Sequence, residues 1–147
     1  MYEYKCKVRK VVDGDTVDID IDLGFGIWLN DERVRIIGID TSESRTSDPV
    51  EKIFGLAAKE RVMHLLGESP TLISKVKGDG NEEMRGKFGR ILGKFLVYDK
   101  KEDRQMHLGD IMIREHLAVK YEGQSKEDIA EQHIKNRELC CLPEEKE

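Results

Sequence analysis

The sequence predicts a small α+β domain, a five-stranded β-barrel with three helices packed on it. Three observations carry that expectation. Apolar and polar residues alternate in successive runs through the first forty positions. A capped helical segment follows the third run. Two further strand-like runs and two more helical segments complete the chain. At 147 residues, one domain is the default. A chain of that size buries roughly 68–70% of its unfolded surface, enough for a core without disulfides.

The elements follow in order. From Tyr4 to Val12, Tyr4, Cys6 and Val8 alternate with Lys5, Lys7 and Arg9. Asp13-Gly14-Asp15 is a hairpin signal. Val17, Ile19, Ile21 and Leu23 then alternate with Asp18, Asp20 and Asp22, a half-buried strand with one acidic face. Gly24 and Gly26 mark a turn, and Arg33 to Ile39 completes a three-strand meander. Asp48-Pro49-Val50-Glu51 starts a helix, with an N-cap, a proline at the first helical position and a glutamate placed for a capping box. Phe54, Ala58, Val62, Leu65 and Leu66 recur at helical spacing, and Gly67 is suited to the C-cap. Thr71–Val76 is a fourth strand, Lys77–Gly86 a polar loop and Arg90–Tyr98 a fifth strand. Leu108–His116 and Ser125–Leu139 are helices, the second capped by Ser125 with Asp128 in its first turn. A helix between the third and fourth strands suits an OB-fold, a five-stranded Greek-key barrel with three α-helices. Periodicity alone does not separate it from another α+β fold. Residues 1–142 are read as the single domain and 143–147 as a charged, frayed tail.

Composition excludes several classes. Hydrophobic residues make up 38% and charged residues 37% of the chain, but the apolar ones fall in periodic runs, against disorder. No run reaches the roughly 18 apolar residues of a membrane span. The first residues hold no apolar signal region, which gives a cytoplasmic expectation. Cys6, Cys140 and Cys141 make no paired framework, and no Cys/His cluster suggests zinc. With 25 Lys+Arg against 30 Asp+Glu, the net charge is -5. Tight, long-footprint nucleic-acid binding, which depends on cations neutralising phosphates, is disfavoured; brief contact with a few phosphates is compatible.

The residues that can carry chemistry lie in three places. Asp15 stands at the mouth of the first hairpin, though Asp and Gly are also ordinary turn residues. The Asp18/Asp20/Asp22 stripe is not an EF-hand loop, because Leu23 and Leu29 stand where that loop needs Gly and Glu. Arg35-Ile36-Ile37-Gly38-Ile39-Asp40-Thr41-Ser42-Glu43 joins an arginine to two carboxylates. A phosphodiester needs such groups: a guanidinium for its oxygens, carboxylates for a metal, and one as a base for water. In an extended strand Arg35 and Asp40 would point to opposite faces. A distortion near Gly38, or the strand end, is expected to bring them to one cleft. Arg85-Gly86-Lys87-Phe88-Gly89-Arg90 interleaves cations, glycines and an aromatic, suited to phosphate and base contact, or simply a basic loop. The four histidines show no ligand spacing, and none is a candidate base.

These residues resemble the staphylococcal-nuclease-like (thermonuclease) family. The resemblance runs through Val11-Val12-Asp13-Gly14-Asp15-Thr16-Val17, Arg35 to Glu43 and Lys87-Phe88-Gly89-Arg90, then more weakly through Leu117-Ala118-Val119-Lys120-Tyr121. It implies the OB-type barrel and calcium-dependent hydrolysis of DNA and RNA that leaves 3′-phosphates. It implies Asp15, Asp40 and the main-chain carbonyl of Thr41 as Ca2+ ligands, Glu43 as the residue acting on water, and Arg35 and Arg90 on the phosphate. Lys87, Phe88 and Tyr121 would contact substrate. The expected partner is DNA or RNA, single strands preferred, met by a monomer away from membranes. Three departures stand out. Ser42 replaces the family's frequent proline, which leaves the Glu43 loop looser. Phe88 replaces a tyrosine and loses its hydroxyl. The acidic charge and absent leader differ from secreted, basic members and favour an intracellular or phage-encoded role. The competing readings are a non-catalytic nucleic-acid- or protein-binding module on the same barrel, and a barrel whose charged loops serve only assembly.

Overall fold

A computed structural model describes residues 2–74 and 89–140. Its elements are β1 (Glu3–Asp13), β2 (Thr16–Gly24), β3 (Ile27–Ile36), β4 (Ile39–Asp40), α1 (Pro49–Leu66), β5 (Thr71–Ser74), β6 (Ile91–Asp99), β7 (Arg104–His107), α2 (Leu108–Arg114), β8 (Val119–Lys120) and α3 (Lys126–Leu139). Five strands close a barrel in the order β3-β2-β1-β5-β6, with β6 returning to β3 in parallel. That closing seam pairs Val34 with Ile91, Arg35 with Leu92 and Ile36 with Gly93. The barrel with three helices is the expected OB-type α+β fold.

Alternation explains the core. Val17, Ile19 and Ile21 of β2 point inward and meet Val34 and Ile36 of β3 and Ile91, Phe95 and Val97 of β6. Ala58, Val62 and Leu66 of α1 and Leu108, Ile111 and Met112 of α2 pack onto the same core. The outward carboxylates of β2 are held by neighbours: Arg33 Nε lies 2.8 Å from Asp18 and Arg9 Nε 2.6 Å from Asp20. The acidic stripe is therefore a cross-strand ion-pair face. Leu23, expected to be half-buried, is exposed because the β2–β3 hairpin runs past the barrel. Cys6 is a buried free thiol whose Sγ donates to Pro70 O, and burial pushes its pKa up to about 12. Among the described residues, no helix is long and apolar enough to cross a membrane.

Several local expectations change. The third strand was expected over Arg33–Ile39; instead it starts at Ile27 and stops at Ile36, because Gly38 takes a left-handed φ of 85° that an extended strand cannot contain. After that break, Ile39 and Asp40 pair with Lys120 and Val119. The pieces β4, β7 and β8 escaped the pattern because two to four residues cannot show a period. Asp48 caps α1 by accepting from Val50 and Glu51 N–H, but its own N–H donates to Thr46 Oγ1, so the capping box does not close. Gly67 ends α1, and Ser125 caps α3 through Asp128 N–H. The fourth strand is described from Thr71 to Ser74. The rest of that expected strand, the Lys77–Gly86 loop, Lys87, Phe88, Cys141 and the tail lie outside the described residues.

Candidate functional site

The site is assembled where the first hairpin, the broken end of β3 and the start of β6 meet. Asp15 sits in the β1–β2 turn, and its carbonyl accepts from Ile36 N–H at 2.8 Å. Thr16 pairs with Arg35 across the sheet, which brings the Asp15 turn beside the end of β3. Gly14 permits this approach: a Cβ there would stand 2.9 Å from both Thr41 Cγ2 and Ala58 Cβ. At Gly38 the chain turns, and its carbonyl accepts from Tyr121 N–H at 2.9 Å. Asp40 is thereby swung towards Arg35, as the glycine in the run suggested.

The result is one guanidinium facing two carboxylates. Arg35 Nη2 lies 3.5 Å from Asp15 Oδ2 and 3.7 Å from Asp40 Oδ1. Its Nη1 donates to the Ile36 carbonyl. Asp15 is fixed in turn, its Oδ2 accepting from Thr41 N–H at 3.2 Å and its Oδ1 from Thr16 Oγ1 at 3.0 Å. A cavity of about 780 Å³ opens beside the group, with Arg35, Asp40, Arg90, Lys94 and Tyr121 on its wall.

Glu43 is placed differently. It is exposed, is not on that wall, and among the described residues its carboxylate makes no hydrogen bond or ion pair. Its backbone, however, is tied down. Ser44 N–H donates to Asp13 Oδ1 at 3.1 Å, and Ser44 Oγ donates to the same oxygen. The Glu43 carbonyl lies against α1 at Gly55, where no side chain stands between them. The Glu43 loop, expected to be looser without a proline at Ser42, has these backbone anchors. Ser42 is buried, and Asp13, read from the sequence as a turn residue, supplies the anchor.

A hard divalent cation suits this donor set. Asp15, Asp40 and the Thr41 carbonyl offer only oxygens, the ligands such ions prefer. Thr41 Oγ1, buried against the Gly14 turn, has no hydrogen-bond partner among the described residues. Three acidic, His or Cys side chains are nowhere gathered as a metal centre among the described residues, so carbonyl and water oxygens would complete the coordination.

The sequence model of the staphylococcal nuclease homologue family matches residues 33–139, from the end of β3 through α3. The chain belongs to the staphylococcal nuclease family. A thermonuclease of Staphylococcus intermedius is similar to it, 35% identical over 94 residues, covering 63% of this chain and 49% of the relative. The chain therefore spans about half the length of that curated relative. Within the family match lie Arg35, Asp40, Thr41, Glu43, Arg90 and Tyr121; Asp15 precedes it and joins the site through the hairpin.

The sequence reading missed Lys94 on the cavity wall and a residue bonded to Asp40. His133 of α3 places Nε2 2.7 Å from Asp40 Oδ2. The two are 93 positions apart. The only sequence signal was that His133 shares a helical face with Asn136 and Arg137, which says nothing about what that face meets.

Proposed function

We propose that this protein is a calcium-dependent nuclease that hydrolyses phosphodiester bonds of DNA or RNA with little sequence preference and leaves 3′-phosphates. The observation that carries the reading is the Asp15–Arg35–Asp40 cluster opening onto a cavity whose wall also holds Arg90. Membership of the nuclease homologue family supports it. Arg35 and Arg90 bind the non-bridging oxygens of the phosphate, and their planar, permanently charged groups strengthen those bonds as charge grows on the pentacoordinate phosphorus. Calcium, held by Asp15, Asp40 and the Thr41 carbonyl, would supply charge neutralisation at the phosphoryl oxygen. Glu43 orients the attacking water and takes its proton, a contribution of typically ~10²–10⁴ in rate. The P–O5′ bond breaks, the phosphate stays on the 3′ oxygen, and the 5′ oxygen leaves with a proton from solvent. Tyr121 offers its ring as a wall for an unpaired base, which favours single strands.

The test is single-stranded DNA with calcium, then with chelator. Digestion that chelator stops, and that drops by orders of magnitude in Glu43→Ser and Arg90→Ala, supports the enzyme. Binding without cleavage in calcium would make the protein a nucleic-acid-binding module on the same fold.

A further inference from the structure

The helix that carries His133 is seated in an unusual way. No residue of α3 is fully buried, and Ile129 is half-buried against the cavity. Polar contacts also seat the helix. Asn136 Nδ2 donates to Ala118 O at 3.1 Å, the Arg137 guanidinium lies 5.7 Å from the Phe54 ring centre, and Gln132 accepts from Gln124 at 2.9 Å. His133 joins this set but reaches further, to Asp40 itself. Its side chain is only 13% exposed, so the bond is sheltered from competing water.

The bond divides the Asp40 carboxylate. Oδ2 accepts from His133, while Oδ1 faces Arg35. A carboxylate engaged on both oxygens cannot turn freely about its last torsion. Backbone pairing fixes the same unit from behind: Asp40 pairs with Val119, and the neighbouring Ala118 carbonyl is the acceptor for Asn136. α3, β8 and β4 are thus linked at the carboxylate that, on the reading above, holds calcium.

We propose that His133 is a positioning residue for Asp40. It fixes the carboxylate plane so that Oδ1 keeps facing Arg35 Nη2, the same group that faces Asp15 Oδ2, and it thereby couples cation binding to the seating of α3. The role needs an Nε2–H donor, which neutral imidazole supplies, and no change of protonation. Partners of this kind orient metal ligands, and removing one typically lowers metal affinity ~10–100-fold. Coupling is reciprocal, so a cation at Asp40 must also favour the docked helix.

The experiment is calorimetric titration of calcium into the intact protein without nucleic acid, together with amide hydrogen exchange across residues 126–139. His133→Ala is expected to weaken calcium binding by ~10–100-fold while circular dichroism in chelator shows it folded. His133→Gln, whose amide can donate from nearly the same place, is expected to recover most of that loss. Saturating calcium is expected to slow exchange in α3 of the unmodified protein, a readout that needs no variant. Equal or tighter binding in His133→Ala overturns the proposal, as does a glutamine variant no better than alanine, or α3 exchange indifferent to calcium. The two levels of failure separate cleanly. If the unmodified protein binds no calcium, the metal reading falls and takes this inference with it. If it binds calcium and His133→Ala binds equally, this inference alone falls.

Discussion

Gly55→Ala sets helix propensity against a tertiary contact. Gly55 lies inside α1, and at an unhindered helix position alanine would stabilise by about 0.5–1 kcal/mol. Here a Cβ would stand 2.1 Å from the Glu43 carbonyl oxygen, 2.3 Å from its carbon and 2.7 Å from Ser44 N. All are backbone atoms, so no rotamer change relieves the clash. Reaching even 3.0 Å requires a retreat of about 1 Å, and Ser44 resists it through its bonds to Asp13. Overpacking of this kind costs ~1–3 kcal/mol, and the propensity gain offsets part of it. At the middle of both ranges the net loss is about 1 kcal/mol, a melting temperature lower by roughly 3–4 °C for a chain of this size. The same displacement moves the backbone that carries Glu43, and a misplacement of about 1 Å can cost ~10²-fold in turnover. Thermal denaturation by circular dichroism and initial rates of calcium-dependent cleavage of single-stranded DNA measure the two effects. A melting temperature equal to or above that of the unmodified protein would refute the clamp. A lowered melting temperature with an unchanged rate would refute the transmission of the displacement to the Glu43 side chain.

Gly38→Ala should cost ~1–2 kcal/mol in urea denaturation, because φ is 85° and nothing crowds the position, and Gly38→Asn should cost less; an unchanged midpoint for alanine would exclude the left-handed turn. Asp99, 2% exposed, accepts from Arg114 Nη1 and Nη2 at 2.8 Å each, and these bonds hold its carboxyl well below the usual carboxylate range. Since the folded pKa is the lower one, the pair's stabilisation is complete above the unfolded value of about 3.9 and is lost as pH falls below it, where the unfolded chain takes up the proton first. Melting temperature against pH should therefore fall below about pH 4. Arg114→Met should melt lower at pH 7, its buried carboxylate left without a cation, and should lose less on acidification; a parallel pH curve would show that Asp99 does not carry the effect.

Much of this architecture can be read along the chain because its causes are short-ranged. Alternation places Val17, Ile19 and Ile21 inside wherever the strand lies. Asp48, Gly67 and Ser125 act on amides within a few residues of themselves. Residue chemistry likewise singles out Asp15, Arg35, Asp40 and Glu43, since carboxylates and a guanidinium are what metal and phosphate require. Other features have causes distant in sequence. Arg35 meets Asp15 and Asp40 because β3 breaks at Gly38 and its end closes the barrel against β6. Gly55 lies inside a helix and is the seat of the Glu43 carbonyl. Asp13 reads as a turn and holds Ser44, 31 positions on. His133, a histidine without ligand spacing in the sequence, reaches Asp40. Periods and caps operate over at most a turn of helix or a pleat of strand. Barrel closure and helix docking instead select partners by shape and hydrogen bonding in space, where separation along the chain carries no information.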